Sequence, residues 1–240
     1  MPGAEQRARV VIAIDGPAAS GKSSTAQWVA SELGFRHVDS GALYRAATAA
    51  ALRTDGDDVP SEAQVLGEVG RITLASSAPS LVPLIDGGDA SEAIRGSAVT
   101  RRVSAVARMP RVREWVNATV REAARDHDVV VDGRDMGTAV FPDATLKVFL
   151  VADPWERARR RLVQRLGRRP TDEEVAEETD RLVRRDADDA TQTAQARDAV
   201  LIDTTYITQA EQVERIVALA RAVTARPSGT SAVDAAPDIP

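Results

Sequence analysis

The stretch Val10-Val11-Ile12-Ala13-Ile14-Asp15-Gly16-Pro17-Ala18-Ala19-Ser20-Gly21-Lys22-Ser23-Ser24 decides how the chain is read. Its first five residues are apolar and mostly β-branched, the pattern of a strand buried on both faces in a parallel sheet. Gly16 to Ser23 fits the spacing G-x-x-x-x-G-K-[ST], and Ser23 to Leu33 reads as a helix stopped by Gly34. A glycine-bearing loop between strand and helix lets successive N–H groups turn inward around phosphate oxygens, and the helix N-terminus adds its dipole. Gly16, Pro17, Ala18, Ala19, Ser20, Gly21, Lys22, Ser23 and Ser24 are therefore candidates for holding the polyphosphate of ATP. Lys22 would reach the β and γ phosphates, which makes it a catalytic candidate, and the Ser23 hydroxyl would bind Mg2+. The bland alternative is a glycine-rich turn with an exposed lysine; the flanking strand and helix argue against it. Asp15, just before the loop, is left open between a structural role and the metal shell.

Working outward, four further apolar runs have strand length: Phe35 to Val38, Val129 to Val131, Leu146 to Val151 and Val200 to Ile202. Helical patterns separate them, so the expectation is an α/β fold, a three-layer sandwich of the P-loop NTPase type around a five-stranded parallel sheet. A helix is expected from about Ala42 to Arg53, and Val99 to Ala124 reads as mostly helical with a break at Pro110. Ile72 to Asp86 breaks into short β-like runs, which reads as a small antiparallel insertion. Thr171 to Glu174 and Thr208 to Glu211 have the capping-box spacing and should each start a helix. After Arg226 the composition turns to Pro, Ser, Gly and Ala, read as a disordered tail over 226–240.

Composition narrows the function. At 240 residues the chain has room for one main core with inserted pieces, and 43% hydrophobic with 28% charged residues is ordinary for a soluble globular protein. A net charge of -5 gives no global attraction to nucleic acid, so phosphate contacts must come from local arginine clusters. The absence of Cys removes disulfides, thiolate catalysis and sulfur-based zinc sites. No leader-like or membrane-length apolar stretch occurs, which points to a cytoplasmic protein without a membrane partner; on that reading the sequon at Asn117 stays unmodified. There are two lysines, Lys22 and Lys147, against 29 arginines, so the lysine retained in the loop marks a place where a slim ammonium is needed. A GTP switch would carry an N-K-x-D segment, yet the only Asn, Asn117, is followed by Ala118. A motor or ring ATPase would show a strand ending in paired acids, and Val129 to Asp132 runs instead into Gly133-Arg134-Asp135.

Several segments together are distinctive: Ile14-Asp15-Gly16-Pro17, Asp39-Ser40-Gly41-Ala42-Leu43-Tyr44-Arg45, Glu92-Ala93-Ile94-Arg95, Pro110-Arg111-Val112-Arg113-Glu114 and Asp132-Gly133-Arg134-Asp135-Met136-Gly137-Thr138. Phe141-Pro142-Asp143-Ala144, the run Glu156 to Arg161 and Arg185-Asp186 follow in order. In these the sequence resembles the bacterial cytidylate kinase family of nucleoside monophosphate kinases, over nearly the whole chain to about Arg221. The resemblance implies a single domain over 1–225, with a nucleotide-binding insertion at about 60–100 and a lid at about 155–190. It implies transfer of the γ-phosphoryl of ATP, with Mg2+, to CMP or dCMP, and a monomer is expected.

Residues matching Ser40, Arg45, Ser104, Arg113, Arg134, Asp135, Arg185 and Asp189 hold the monophosphate in that family. Arg45 and Arg134 suit its phosphate by bidentate pairing; Ser104, Arg113 and Asp135 suit a cytosine; Arg185 and Asp189 suit the sugar and phosphate end. Asp132, at a strand end, is placed to hold a water of the Mg2+ shell. Arg157 and Arg161, four residues apart on one helix face, are catalytic candidates over the transferring group, the plain alternative for each being a solvated basic surface. One departure stands out: family members commonly carry Arg where this chain has Gln192, with Arg197 as a candidate substitute. His37 and His127 are read as solvated or structural, and Trp28, Trp115 and Trp155 as packing or surface aromatics.

Overall fold

The computed structural model describes residues 9–55 and 58–225, so the proposed tail at 226–240 lies outside the described residues. In chain order the elements are β1 (Val11–Asp15), α1 (Lys22–Leu33), β2 (Arg36–Asp39), α2 (Ser40–Asp55), α3 (Glu62–Glu68), β3 (Ile72–Ser77), β4 (Ser80–Ile85) and β5 (Gly88–Asp89). They continue with α4 (Ser97–Val106), α5 (Pro110–Ala124), β6 (Val129–Gly133), β7 (Leu146–Val151), α6 (Pro154–Leu166), α7 (Asp172–Asp189), β8 (Val200–Asp203) and α8 (Gln209–Thr224).

The strands form one sheet in the order β3-β4-β2-β6-β1-β7-β8, with β5 on β4. The five expected parallel strands are β2, β6, β1, β7 and β8. The insertion is continuous with them: β4 pairs in parallel with β2, while β3 and β5 run antiparallel to β4. Pairing with β2 is thus what holds the antiparallel hairpin against the core.

Alternation along the strands assigns the two faces. Ala13, Val129 and Val131 pack with Val103 and Val106 of α4 and Val112, Val116 and Val120 of α5. Ile12, Ile14, Val130, Val148 and Leu150 pack instead with Ala26 and Val29 of α1 and with Val213, Ile216 and Val217 of α8. Because both faces are covered, β1 and β6 are apolar without interruption until the carboxylates at their ends, Asp15 and Asp132. Those polar ends all lie at the C-terminal edge of the sheet, where α/β folds place ligands.

Helix starts follow local chemistry. Thr171 and Thr208 cap α7 and α8 in reciprocal boxes with Glu174 and Glu211, as their spacing predicts, and Ser61 with Gln64 does the same for α3. The second helix begins at Ser40 rather than Ala42, because the Asp39 carboxylate accepts the Ala42 N–H at 3.0 Å and satisfies the first turn. No described helix is long and apolar enough to cross a membrane.

Ile216 is fully buried between α8 and the sheet. Ile216→Ala should lower unfolding stability by about 2–5 kcal/mol, read from the shift in urea midpoint, because the close-packed layer collapses only partly around the space.

Candidate active site

The loop between β1 and α1 is shaped by two glycines. Gly16, at φ 149°, passes so close to the Leu150 carbonyl that a side chain would collide with it, and Gly21, at φ 88°, opens the helix from the left-handed region. Lys22 is buried, and its Nζ donates to the Pro17 carbonyl at 2.7 Å and the Ser20 hydroxyl at 3.4 Å. Burial, reinforced by the Arg134 charge and opposed by Asp132, Asp15 and Asp39, lowers its pKa to about 7. A lysine so placed gives up its proton far more readily than an exposed one, and a nearby anion favours its charged form.

The α6–α7 pair grips the loop from outside. Leu162, Val175 and Leu182 pack around Ala18, whose N–H donates to Asp186 Oδ1 at 3.0 Å. Arg157 Nη1 donates to the Ala18 carbonyl at 2.7 Å and to Asp186 Oδ2 at 2.6 Å. Its guanidinium therefore sits buried behind the loop, and Arg157 does not line the cleft as its expected role over the transferring group would require. One turn further along α6, Arg161 does reach the cleft, steadied by Glu178 at 2.9 Å.

At the inner end of the loop, the Ser23 hydroxyl donates to Asp132 Oδ2 at 2.6 Å. The other oxygen, Oδ1, meets His37 Nε2 at 2.8 Å, and Ser40 Oγ donates to the Asp132 carbonyl at 2.9 Å. Asp39, beside Asp132 in the strand register, also lines the cleft. Its carboxyl is pushed above the ordinary range by burial and then by the Asp132 charge. Burial pulls the His37 pKa down, but the hydrogen bond and charge of Asp132 outweigh it, leaving a net rise. Asp15 belongs to the scaffold: its oxygens accept from the Met136 and Gly137 N–H groups at 2.9 and 2.8 Å, while burial raises its pKa to about 6.

Across the cleft lies an arginine slot. Just beyond β6, Arg134 reaches to the Gly16 carbonyl at 2.8 Å and to Asp189 Oδ2 at 3.0 Å. Arg45 of α2 donates to the Ile94 carbonyl and to Thr100 Oγ1, each at 3.2 Å. Arg185 has no hydrogen-bond partner at its buried Nε. Its pKa falls to about 10, first through burial and then through repulsion from Arg134. Burial, followed by the Arg161 charge, likewise lowers Arg45. Four guanidiniums crowded this closely make a site that favours an anion. Arg113 pairs with Asp135 at the far wall, where Ser104 of α4 also lies. All eight candidate acceptor residues, Ser40, Arg45, Ser104, Arg113, Arg134, Asp135, Arg185 and Asp189, line this one cleft together with Lys22, Ser23 and Asp132.

The cytidylate kinase family profile matches residues 12–222. The chain belongs to the cytidylate kinase family. It is 45% identical over 214 residues to the cytidylate kinase of Geobacillus kaustophilus, covering 87% of this chain and 95% of that one. It is 41% identical to the cytidylate kinase of Chlorobaculum tepidum, covering 85% and 89% respectively. A similar relation holds with the cytidylate kinase of Streptomyces griseus, at 41% with 89% and 93% covered. This family membership makes the chain a nucleoside monophosphate kinase.

For a cytidylate kinase, Gln192 is the departure to account for. It lines the cleft and accepts from Arg113 Nη1 at 3.1 Å, so a neutral amide buttresses that wall where the resemblance leads one to expect an arginine. Arg197 stays exposed outside the cleft and does not substitute for it. Sequence reasoning missed Asp39, Tyr44, whose buried hydroxyl has no hydrogen-bond partner, and the bonded role of His37. It also missed a second cavity across the loop, lined by Arg160, Gln164, Thr208 and Gln212 and sharing Ala19 and Arg161 with the first. Only the fold brings the start of α8 beside α6, so no local spacing announces that cavity. His127 is partly exposed, Trp28 and Trp155 are exposed, and Trp115 packs on the core.

Because the Lys22 pKa is lowered to about 7, polyphosphate binding should raise it and favour the charged form. Calorimetry of ATP binding in buffers of differing ionisation enthalpy should show proton uptake at about pH 8, and Lys22→Met should abolish that uptake.

Proposed function

We propose that this chain transfers the γ-phosphoryl group of ATP to CMP and dCMP, giving CDP and dCDP with ADP. The observation that carries the reading is the shared cleft: the loop residues Lys22 and Ser23 line the same space as the arginine slot, so donor and acceptor phosphates would meet there. The attacking group is an ionised phosphate oxygen of the acceptor. It needs no general base, and catalysis reduces to alignment and charge stabilisation.

On this reading the loop amides of 16–24 and the Lys22 ammonium hold the β and γ phosphates, and Arg161 approaches the transferring group from α6. The second cavity would take the ATP base. Arg45, Arg134 and Arg185 hold the acceptor phosphate opposite Lys22, so the acceptor oxygen forms its bond to phosphorus as the bridge to ADP breaks. Asp189 suits a ribose hydroxyl. Asp135 accepts from the exocyclic amine of cytosine, a donor that uracil lacks, while Ser104 and Arg113 address the remaining polar edge.

The residues present fit Mg2+. Among the described residues no cluster of three or more His, Cys, Asp or Glu side chains could hold a metal alone. The paired oxygens of Ser23 and Asp132 instead suit a hard cation that takes its other ligands from water and phosphate. Held by the Ser23 and Asp132 oxygens, Mg2+ would neutralise charge on the ATP phosphates. We assign the lid to α6 and α7, with Arg157 fastening it to the loop. A monomer suffices on this reading, since one chain lines both cavities, and a cytoplasmic setting suits it.

An ADP-release assay across CMP, dCMP, UMP, AMP and GMP should show preference for the cytidine nucleotides; a different preferred acceptor overturns the reading. Lys22→Ala should abolish transfer while the protein stays folded. Asp135→Asn should lower kcat/KM for CMP roughly 10- to 100-fold, with a smaller loss for UMP, as expected for losing a hydrogen bond to a charged acceptor.

A further inference from the structure

Four side chains from four elements form one hydrogen-bonded line. Ser80 Oγ, on the first residue of β4, lies 2.9 Å from His37 Nδ1; His37 Nε2 lies 2.8 Å from Asp132 Oδ1; and Asp132 Oδ2 accepts from Ser23 Oγ at 2.6 Å. Ser80, His37 and Asp132 are all buried, at 8%, 5% and 2% exposure. The line runs from the edge of the insertion, through the core sheet, to the start of the phosphate-loop helix. The register makes this possible, because His37 pairs with Ser80 on one side and with Val130, two residues before Asp132, on the other.

The geometry points to His37 as a positioning residue for Asp132: it clamps one carboxylate oxygen so that the other is presented to Ser23 and to the metal-nucleotide end of the cleft, and Ser80 holds the ring in that orientation. This rests on the function proposed above. An ionised carboxylate only accepts, so His37 must offer Nε2–H to Oδ1. In the neutral ring, Nδ1 is then an acceptor and the Ser80 hydroxyl its donor. Packing alone does not call for a histidine here, since an aromatic ring of similar size would fill the space between β4 and β6. What such a ring would lack is the donor that stops the Asp132 carboxylate from rotating. Groups behind a metal-facing ligand typically tune metal affinity by fixing that ligand's orientation. The antiparallel insertion thereby supports the metal end of the cleft as well as the acceptor side.

The test separates metal-dependent from metal-independent nucleotide binding. ATP affinity is measured calorimetrically in EDTA and in saturating Mg2+ for the wild type, His37→Phe, His37→Gln and Ser80→Ala, with thermal melts as a check of folding. In EDTA, His37→Phe should bind ATP as the wild type does, because His37 does not face the nucleotide. The gain in affinity from Mg2+ should fall about tenfold. His37→Gln, which retains a donor, should recover most of it, and Ser80→Ala should lose about threefold, since the ring keeps its bond to Asp132 but not its anchor. Equal weakening in EDTA and Mg2+, an unchanged Mg2+ gain, or no recovery in His37→Gln overturns the proposal. If His37→Phe fails to fold, Ser80→Ala decides, and an undiminished Mg2+ gain in that variant overturns it. A wild-type protein whose ATP affinity Mg2+ does not raise would instead overturn the placing of Mg2+ at Ser23 and Asp132 proposed above.

Discussion

Asp15 fixes the spacing on which both halves of the site depend. It ends β1 immediately before Gly16, and its two oxygens accept the N–H groups of Met136 and Gly137 just beyond β6. The phosphate loop and the loop after Arg134 and Asp135 therefore leave neighbouring strands at a set separation. Burial of that carboxylate costs solvation, which is why its pKa rises to about 6 even with two amide donors. In-line transfer between two phosphates tolerates little displacement, so rigidity here bears directly on chemistry.

Around that anchor the site is an arrangement of opposed charges. Arg134 spans the cleft between the Gly16 carbonyl and Asp189, tying the loop to the end of α7. Arg185 and Arg45 sit near it with lowered pKa values, burial being the larger cause and repulsion from Arg134 and from Arg161, respectively, the next. The carboxylates Asp39 and Asp132 line the same cleft at the tips of adjacent strands. The cleft thus sets guanidiniums that favour an anion beside carboxylates that favour a cation. Arg157 shows how a charge can serve from outside: buried against Ala18 and Asp186, it joins the α6–α7 pair to the loop.

Much of this was legible because it is local. Strand runs, glycine stops and the capping boxes at Thr171 and Thr208 follow from propensity and hydrogen bonding within a few residues. The eight candidate acceptor residues were reached through the family resemblance, and the fold gathers them into one cleft. The role of Arg157 was not legible, because its four-residue spacing from Arg161 says that both share a helix face but not which end of that face meets the cleft. His37 escaped notice for a similar reason: a lone histidine in a short strand shows no partner until strand pairing brings Ser80 and Asp132 to its two nitrogens.

The sequence by itself determined the strand–loop–helix that cradles phosphate, the alternation of strands and helices, and the residue types available for binding anions. Those depend on contacts within a turn or two of chain. Only the tertiary structure decided that the insertion extends the core sheet, that the start of α8 joins α6 in a second cavity, and that Asp132 is held between His37 and Ser23. These rest on strand order and register, which are set by how the two apolar faces of the sheet are covered, and a linear pattern does not record which distant strands become neighbours.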